Sequence, residues 1–400
     1  MKFAHLADCH LGAWREPKLR EIGSRVFDTA IDEIIKHNVD FLLISGDLFN
    51  TSLPSFDILK QVTQKLKELK DNGISTYMVA GSHDFSPSGK TFLDVLEKAG
   101  LIFNVVKGQV VDGRLRLRFT VDKKTNARIT GLLGKKGTLE KSYYENLDKE
   151  NLEDEEGYKI FMFHSALTEF KPDDLGEMEA MPLSLLPKNF NYYAGGHVHY
   201  IFSKTEPNYG NITFPGALFP NNFKELEKFG YGGYYLIEND KCSWLSVKLI
   251  ETKNIEINCD HKNARDVEKE LNEIVDINGK IVLIRIKGTL ESGKISDINF
   301  TQAFNQLYAK GAFFIMKNSS AASTKEFEEI KIDTSDIEHM EEKLIKEHLG
   351  QIKVDDFNLE VEEKISNLIL QHLNTEKEEG QTKSDFEKKI INEMNSILGL

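Results

Sequence analysis

Five short apolar runs, each followed within two residues by aspartate, serine or histidine, constrain this 400-residue chain more than any other feature. The runs are FAHLA (3–7), FLLIS (41–45), TYMVA (76–80), KIFMF (159–163) and NYYAG (191–195). Short continuous apolar runs are typical of buried strands. Residues 55–70, between two of the runs, repeat apolar side chains at helical spacing. This alternation of strands and helices predicts an α/β fold over residues 1–250.

Candidate metal ligands follow every run: Asp8 and His10, Asp47, Ser82 with His83, His164, and His197 with His199. Because the carboxyl ends of neighbouring parallel strands meet at one edge of a sheet, we expect these side chains to converge. Imidazole and carboxylate together suit manganese, iron or zinc. A bridging carboxylate can hold two such cations about 3.5–4 Å apart.

The alternative is that these histidines are ordinary core or surface residues. Random placement predicts histidines scattered without regard to strand ends, yet five of the chain's eleven fall there. His5 lies inside the first run and is interpreted as a packed residue. The others are interpreted as structural or surface residues: His37, His261, His339, His348 and His372.

The motifs DCH, GDLF, GSHD, a strand-final histidine and GGHVH, in this order, resemble the calcineurin-like metallophosphoesterases. LADCHLG, LISGDLFN, and GHVH followed by Pro215-Gly216-Ala217, look like the SbcD / meiotic-recombination-eleven nucleases of DNA double-strand-break repair. The motifs cover roughly residues 1–235. The resemblance implies a metallophosphoesterase β-sandwich flanked by helices, then a small α/β capping domain and C-terminal helices.

The resemblance also implies two Mn²⁺ ions per subunit and a role for each motif residue. Asp8, His10 and His199 would hold one metal, Asp47 would bridge, and His164 and His197 would hold the second. His83 would contact the scissile phosphate and stabilise or protonate the departing oxygen, while a metal-activated water attacks phosphorus.

Two positions depart from the family pattern. Ser82 stands where an asparagine usually ligates the second metal, so we expect weaker binding there. Asn50 follows Phe49 where relatives carry histidine, which leaves the orientation of His83 open.

The sequence texture changes after residue 250. The pattern of two helices and two strands, at 264–275, 280–287, 300–309 and 312–317, predicts a small α/β domain over 251–320, and the resemblance implies that it is a capping, DNA-binding domain. SSAAST (319–324) and the acidic run after it favour a linker at 321–334. Residues 335–400 are expected to be helical, with apolar stripes that either pack on the chain's own body or dock on a partner coiled coil. The acidic, linker-tethered character of this segment favours the partner. The stripes are Ile337, Met340, Leu344 and Ile345, then Val361, Ile365, Leu368 and Ile369, then Phe386, Ile390, Met394 and Ile397.

Bulk charge does not decide between substrates. The net charge is −13, but residues 326–400 contribute −11 of it and leave residues 1–325 at −2. Bound divalent cations would make the site positive. Three distant cysteines without a CxxC pair fit a reducing compartment. Without a signal-peptide core or a membrane-length apolar stretch, we expect a cytoplasmic, nucleoid-associated protein.

Residues 110–121 alternate apolar and basic side chains around Asp112-Gly113, which predicts a hairpin. Arg114, Arg116 and Arg118 would share one face. That face is either a phosphate-contacting strip or an ordinary solvated strand surface.

The leading hypothesis is a manganese-dependent nuclease that processes DNA ends, 3′–5′ on duplexes and endonucleolytically on single strands. By resemblance it would be a homodimer bound to an SMC/ABC-type coiled-coil ATPase through its C-terminal helices. The alternative is a metallophosphodiesterase acting on nucleotides or other small phosphodiesters. A non-enzymatic scaffold with a degenerate site has only Ser82 in its favour. A manganese assay on linear duplex against p-nitrophenyl phosphodiesters separates the first two.

Overall fold

The computed structural model describes residues 1–86, 91–135, 139–172, 176, 178–324, 361, 364–366, 368–369, 372 and 383–398. The strands are β1 (Lys2–Leu6), β2 (Phe41–Ser45), β3 (Ser75–Val79), β4 (Phe103–Asn104), β5 (Gly108–Val111), β6 (Arg114–Leu117), β7 (Thr120–Val121), β8 (Arg128–Gly131), β9 (Lys159–His164), β10 (Tyr192–Gly196), β11 (Phe202–Glu206), β12 (Gly210–Phe214), β13 (Gly232–Glu238), β14 (Lys241–Val247), β15 (Thr252–Asn258), β16 (Ile281–Leu290) and β17 (Phe314–Thr324). The helices are α1 (Pro17–Lys36), α2 (Phe56–Asp71), α3 (Phe92–Lys98), α4 (Lys141–Glu145), α5 (Glu150–Glu153), α6 (Phe223–Phe229), α7 (Ala264–Glu273), α8 (Phe300–Ala309) and α9 (Lys383–Leu398).

Two six-stranded sheets carry the first part of the chain, with orders β14-β13-β1-β2-β3-β4 and β11-β12-β10-β9-β8-β7. Strands β1, β2 and β3 are parallel, and so are β8, β9 and β10. The carboxyl ends of β1–β3 therefore share one edge of the first sheet, and those of β9 and β10 share one edge of the second. This arrangement confirms the mixed α/β fold.

Both faces of the first sheet are covered by apolar side chains. Phe3 of β1 faces the second sheet, where its ring centroid lies 5.1 Å from that of Tyr192. Ala4 and Leu6 face the other way, into a cluster with residues of α1 and α2. Burial on both faces explains why β1 and β2 read as continuous apolar runs rather than as alternating ones.

The predicted hairpin is present as the antiparallel strands β5 and β6, and Val111 pairs with Arg114 next to the turn. Its two turn residues, Asp112 and Gly113, have φ values of 50° and 78°. Positive φ at both positions is the signature of a type I′ turn, which suits the twist of a hairpin.

The two helices and two strands predicted between residues 250 and 320 are present, and the second strand runs further than predicted. Residues 319–324, expected as the start of a linker, form the end of β17, and β17 is an edge strand of the sheet β15-β16-β17. Polar side chains are usual on edge strands, where they discourage pairing with other chains. The remainder of that linker, 325–334, and the stripe at 337–345 lie outside the described residues.

Contacts divide the described chain into two compact units. The first comprises 1–258, 267–287 and 299–321 and includes both six-stranded sheets. The second comprises 259–266, 288–298 and the described part of 322–400. Within the second unit, His372 Nδ1 lies 3.1 Å from Glu393 Oε2, and α9 supplies the predicted last helix. Among the described residues, no helix is long and apolar enough to cross a membrane.

Candidate metal centre

The predicted ligands converge where the strands of the two sheets end. Within the described residues, three groups have ligand-capable atoms all within 4.8 Å of one another: Asp8, His10 and His199; Asp8, Asp47 and His164; His10, Asp47 and His83. Each of the two carboxylates belongs to two groups. Carboxylates shared between imidazole groups are the arrangement that a two-cation centre requires.

The backbone bends sharply to deliver these side chains. Asp8, His10, Asp47 and His197 have φ values of 50°, 43°, 50° and 85°. Non-glycine residues with positive φ are uncommon and cluster at functional sites. The loops after β1 and β2 run side by side, because the His10 N–H donates to the Asp47 carbonyl at 2.9 Å. That pairing fixes the separation of the first two ligand segments.

Backbone and carboxylate acceptors orient three of the imidazoles. His164 Nδ1 lies 2.8 Å from the Ser45 carbonyl oxygen, and His83 Nδ1 lies 2.8 Å from that of Asn50. His199 Nδ1 lies 3.0 Å from Glu225 Oε1. A carbonyl oxygen only accepts, so Nδ1 of His164 and His83 carries the proton. When the ring is neutral, its Nε2 atom keeps a lone pair for a ligand, which is the usual arrangement around metal-binding histidines.

The contact between His83 and Asn50 bears on the departure noted at position 50. The acceptor is the main-chain oxygen. Orientation of His83 through Nδ1 therefore depends on the path of the backbone and not on the side chain at this position.

Two buried nitrogens in the cluster, His164 Nε2 and His10 Nδ1, have no hydrogen-bond partner among the described residues. His164 Nε2 lies 3.2 Å from Asp47 Oδ2. The Nε2 atoms of His10 and His199 lie 3.1 Å from each other. Unsatisfied buried polar atoms are rare in folded proteins and call for an explanation. A divalent cation bound by this imidazole and carboxylate set supplies one, and the donor types fit manganese, iron or zinc.

The buried carboxylates and imidazoles of the cluster shift one another's pKa values. Burial, against the pull of His164 and His199, raises the pKa of Asp8 to about 6. Burial favours neutral His164 as well, yet the carboxylate of Asp47 outweighs it and raises the pKa of His164 to about 10. Burial and the nearby His199 lower the pKa of His10 to about 3. Cations at this position would compete with protons for the same donor atoms.

Two predicted ligands are placed differently from the others. The backbone N–H of His197 donates to both carboxylate oxygens of Asp8, at 3.0 and 3.1 Å. Its ring lies outside the three groups, with its centroid 5.2 Å from that of His164. Ser82 is buried. It precedes His83, whose backbone N–H donates to Asp47 Oδ1 at 2.8 Å.

Two further residues support the site and were missed from the sequence. Asp84 accepts hydrogen bonds from the backbone of Leu48, Phe49 and Gly81 at 3.2, 3.0 and 3.1 Å, which ties the Asp47 loop to the Ser82 loop. Burial, then the charge of Asp47, raises the pKa of Asp84 to about 7. Its position in the GSHD motif was the available signal.

The second missed residue is Glu225, the partner of His199. It occupies the third position of α6, whose N-cap Asn222 accepts from the Glu225 N–H at 3.0 Å. The pattern Asn-x-x-Glu is a helix-start signature. Such a signature predicts a helix and gives no indication of a metal site.

A cavity of about 320 Å³ opens beside the cluster. His197 and His199 form the wall towards the metal centre, and Tyr200, Phe229 and Met178 add apolar surface. Lys224 and Lys228 of α6 also line it. The cavity therefore combines apolar walls with positive charge next to the candidate ligands.

The predicted strip of arginines on the β6 hairpin is only partly available for contacts with phosphate. Arg114, Arg116 and Arg118 are all exposed, and Leu117 between them is buried. Arg116 Nε lies 2.8 Å from Asp148 Oδ2. One member of the strip is thus already paired within the chain.

The sequence profile of the calcineurin-like phosphoesterases matches residues 1–200, and the chain belongs to this family. Its relatives include proteins named DNA double-strand break repair protein Mre11. The one from Methanopyrus kandleri is 30% identical over 72% of this chain and 65% of the relative. The one from Methanocaldococcus jannaschii is 30% identical over 69% and 72%, respectively, and the one from Methanococcus maripaludis is 28% identical over 70% and 75%. The chain spans less than two thirds of the Methanopyrus kandleri protein.

Proposed function

We propose that this chain is a manganese-dependent DNA nuclease that processes double-strand-break ends. It would act as a 3′–5′ exonuclease on duplexes and as an endonuclease on single strands. The observation that carries the proposal is the pair of carboxylates, Asp8 and Asp47, each shared between groups of candidate ligands. The names of the relatives support DNA as the substrate.

The proposed ligand sets are those that the motif resemblance implies, and two of the observed groups, Asp8-His10-His199 and Asp8-Asp47-His164, support them. Asp8, His10 and His199 would hold one Mn²⁺, and Asp47 would bridge to a second held with His164, His197 and Ser82. When bound, the two cations would supply positive charge that stabilises the pentavalent phosphorus of the transition state and would lower the pKa of the attacking water. The ligand side chains orient these cations because their Nδ1 atoms are already held by the protein.

His83 is the proposed catalytic residue. Its Nδ1–H is engaged by the Asn50 carbonyl oxygen, so Nε2 is the atom that can hold a proton for the departing oxygen. His83 also lies near His10, with ring centroids 4.9 Å apart. Proton transfer by a positioned imidazole contributes about 10²–10⁴-fold to rate.

Other regions would contact the remainder of the DNA. Lys224 and Lys228 line the cavity together with His199 and would contact a backbone phosphate of the DNA. We assign residues 251–320 to capping and DNA binding, and residues 335–400 to an SMC/ABC-type ATPase. A homodimer is part of the same proposal. A pull-down tests the partner assignment: the whole chain should capture the ATPase, and a chain without residues 326–400 should not.

A second candidate is a phosphodiesterase acting on nucleotides or small phosphodiesters. The apolar cavity beside His199 favours it, since about 320 Å³ lies within the range of small-molecule sites. The test compares Mn²⁺-dependent cleavage of linear duplex with cleavage of bis-p-nitrophenyl phosphate. Degradation of duplex from its ends supports the nuclease, and turnover of the small diester alone supports the second candidate.

A further inference from the structure

His5 lies inside β1 with none of its surface exposed, one layer beneath the candidate metal centre. Its Nδ1 lies 3.0 Å from the Tyr192 hydroxyl and 3.1 Å from Thr213 Oγ1. Its Nε2 lies 3.0 Å from Ser45 Oγ. A histidine surrounded by three hydroxyl groups in an otherwise apolar interior is more than a packed residue.

The hydroxyl protons of this network can be assigned. Ser45 Oγ donates to the Ala194 carbonyl at 3.0 Å, so it must accept from His5 Nε2–H. Thr213 Oγ1 donates to the Tyr192 hydroxyl at 2.6 Å, which leaves the Tyr192 proton for His5 Nδ1. Each proton is used once. The neutral Nε2–H tautomer of His5 therefore satisfies every member of the network.

The network joins the two sheets at their ligand-bearing ends. His5 and Ser45 belong to β1 and β2, whereas Tyr192, Ala194 and Thr213 belong to β10 and β12. Strand β1 leads to Asp8, β2 to Asp47 and β10 to His197. Each ligand follows a network residue closely along the chain: Asp8 comes three residues after His5, Asp47 two after Ser45, and His197 three after Ala194.

The network also reaches the fourth ligand strand, β9. Ser45 accepts a hydrogen bond from His5 through its hydroxyl oxygen. Its carbonyl oxygen accepts a second one from His164 Nδ1, at 2.8 Å. The strands approach so closely here that residue 196 has no room for a side chain, because a Cβ on Gly196 would collide with the Ser45 carbonyl oxygen. The sheets are thus held in close approach where the carboxylates of the first sheet meet the imidazoles of the second.

We propose that His5 is a positioning residue that fixes the separation of the two sheets and hence the spacing between the Asp8–Asp47 and the His164–His197 ligands. The inference rests on the proposed metal site. An apolar residue would fill the same volume without the need to satisfy buried polar atoms. A fully satisfied buried network instead specifies one arrangement of the surrounding strands.

The test measures Mn²⁺ binding to the full chain by calorimetry. His5→Leu is expected to weaken binding about tenfold or more, the usual effect of losing a group that orients metal ligands. His5→Asn, whose amide oxygen can still accept from Tyr192, should retain more affinity than His5→Leu. Ile31→Ala is the matched control, since Ile31 is buried in the cluster beneath α1 and a loss of stability alone would affect both variants.

Affinity of His5→Leu within twofold of wild type would overturn the inference, as would an equal loss in Ile31→Ala at matched thermal stability. If His5→Leu does not fold, Tyr192→Phe and Thr213→Val each remove one hydroxyl and are expected to weaken Mn²⁺ binding several-fold; unchanged binding in both overturns the inference. Absence of Mn²⁺ binding by wild type would overturn the proposed function and this inference together. Binding by wild type that is insensitive to His5 removes the inference alone.

Discussion

The Nδ1 atom of His199 lies 3.0 Å from Glu225 Oε1, and the other carboxylate oxygen of Glu225 accepts from the Asn221 N–H at 2.8 Å. The carboxylate is therefore fixed by the start of α6 before it orients the imidazole. The pKa of His199 is raised: burial opposes the charged ring, but the contact with Glu225 outweighs it. A partner of this kind makes Nε2 a stronger donor to a cation.

Glu225→Ala should therefore weaken Mn²⁺ binding about 10–100-fold, because His199 loses its orientation and its basicity. Calorimetric titration measures the change. Glu227→Ala is the control, since Glu227 lies on the same helix but pairs with Arg285, at 2.6 Å. Equal weakening by both variants would show that the helix, rather than the contact to His199, matters.

Replacement of His83 should separate catalysis from metal binding. His83→Ser is expected to lower turnover about 10²–10⁴-fold, because the departing oxygen loses its proton donor. Manganese content should stay at the wild-type level by elemental analysis. His37→Ser, at the end of α1, should change neither quantity. Loss of a metal ion from His83→Ser would instead make His83 a ligand, as its group with His10 and Asp47 allows.

The serine at position 82 should limit affinity for the second metal. A hydroxyl is a shorter and poorer neutral donor than an amide oxygen, so Ser82→Asn is expected to tighten the weaker Mn²⁺ site by roughly tenfold, about 1.4 kcal/mol. The stronger site should be unchanged, which provides the control within one titration. Equal affinities of wild type and Ser82→Asn would contradict this expectation.

The sequence predicted the strands because their burial leaves a local signal, and the rule that parallel strands end at one edge of a sheet extended this to the convergence of their ends. Apolar runs such as 41–45 report burial on two faces, and Asp47 follows its run after a single glycine. Glu225 was missed because its contact with His199 joins residues 26 positions apart. His5 was interpreted as packed for a similar reason: its partner Tyr192 is 187 positions away. Long-range pairings of polar residues leave no periodic pattern in the chain.

Gly196 should be intolerant of any side chain. A Cβ at this position would collide with the Ser45 carbonyl oxygen and would lie 2.8 Å from His164 Nδ1. Gly196→Ala is expected to destabilise the fold by about 1–3 kcal/mol through overpacking and to weaken Mn²⁺ binding as well. Gly23→Ala is the control: it lies within α1, its nearest neighbour would be 3.6 Å away, and alanine favours helix. Denaturant unfolding of both variants in EDTA measures the difference.

The buried, neutral state of His5 should make stability depend on pH. Burial lowers the pKa of His5 to about 3 from an ordinary value of 6.5. The unfolded chain therefore binds a proton below pH 6.5 that the folded chain does not, so stability is complete above that value and is lost as pH falls towards 3. The slope is about 1.4 kcal/mol per pH unit, or roughly 2 kcal/mol between pH 6.5 and pH 5.

His10 and His197 add to that slope in the same direction, since burial lowers their pKa values to about 3 and about 4. The comparison that isolates His5 is therefore between wild type and His5→Asn, both in EDTA. Urea unfolding at pH 7.5, 6.0 and 5.0 should show the variant losing less stability than wild type, by about 2 kcal/mol at the lowest pH. Parallel losses in the two proteins would mean that His5 takes up its proton in the folded state. The hydroxyl network would then need a different distribution of protons, because a protonated ring can no longer accept from Tyr192.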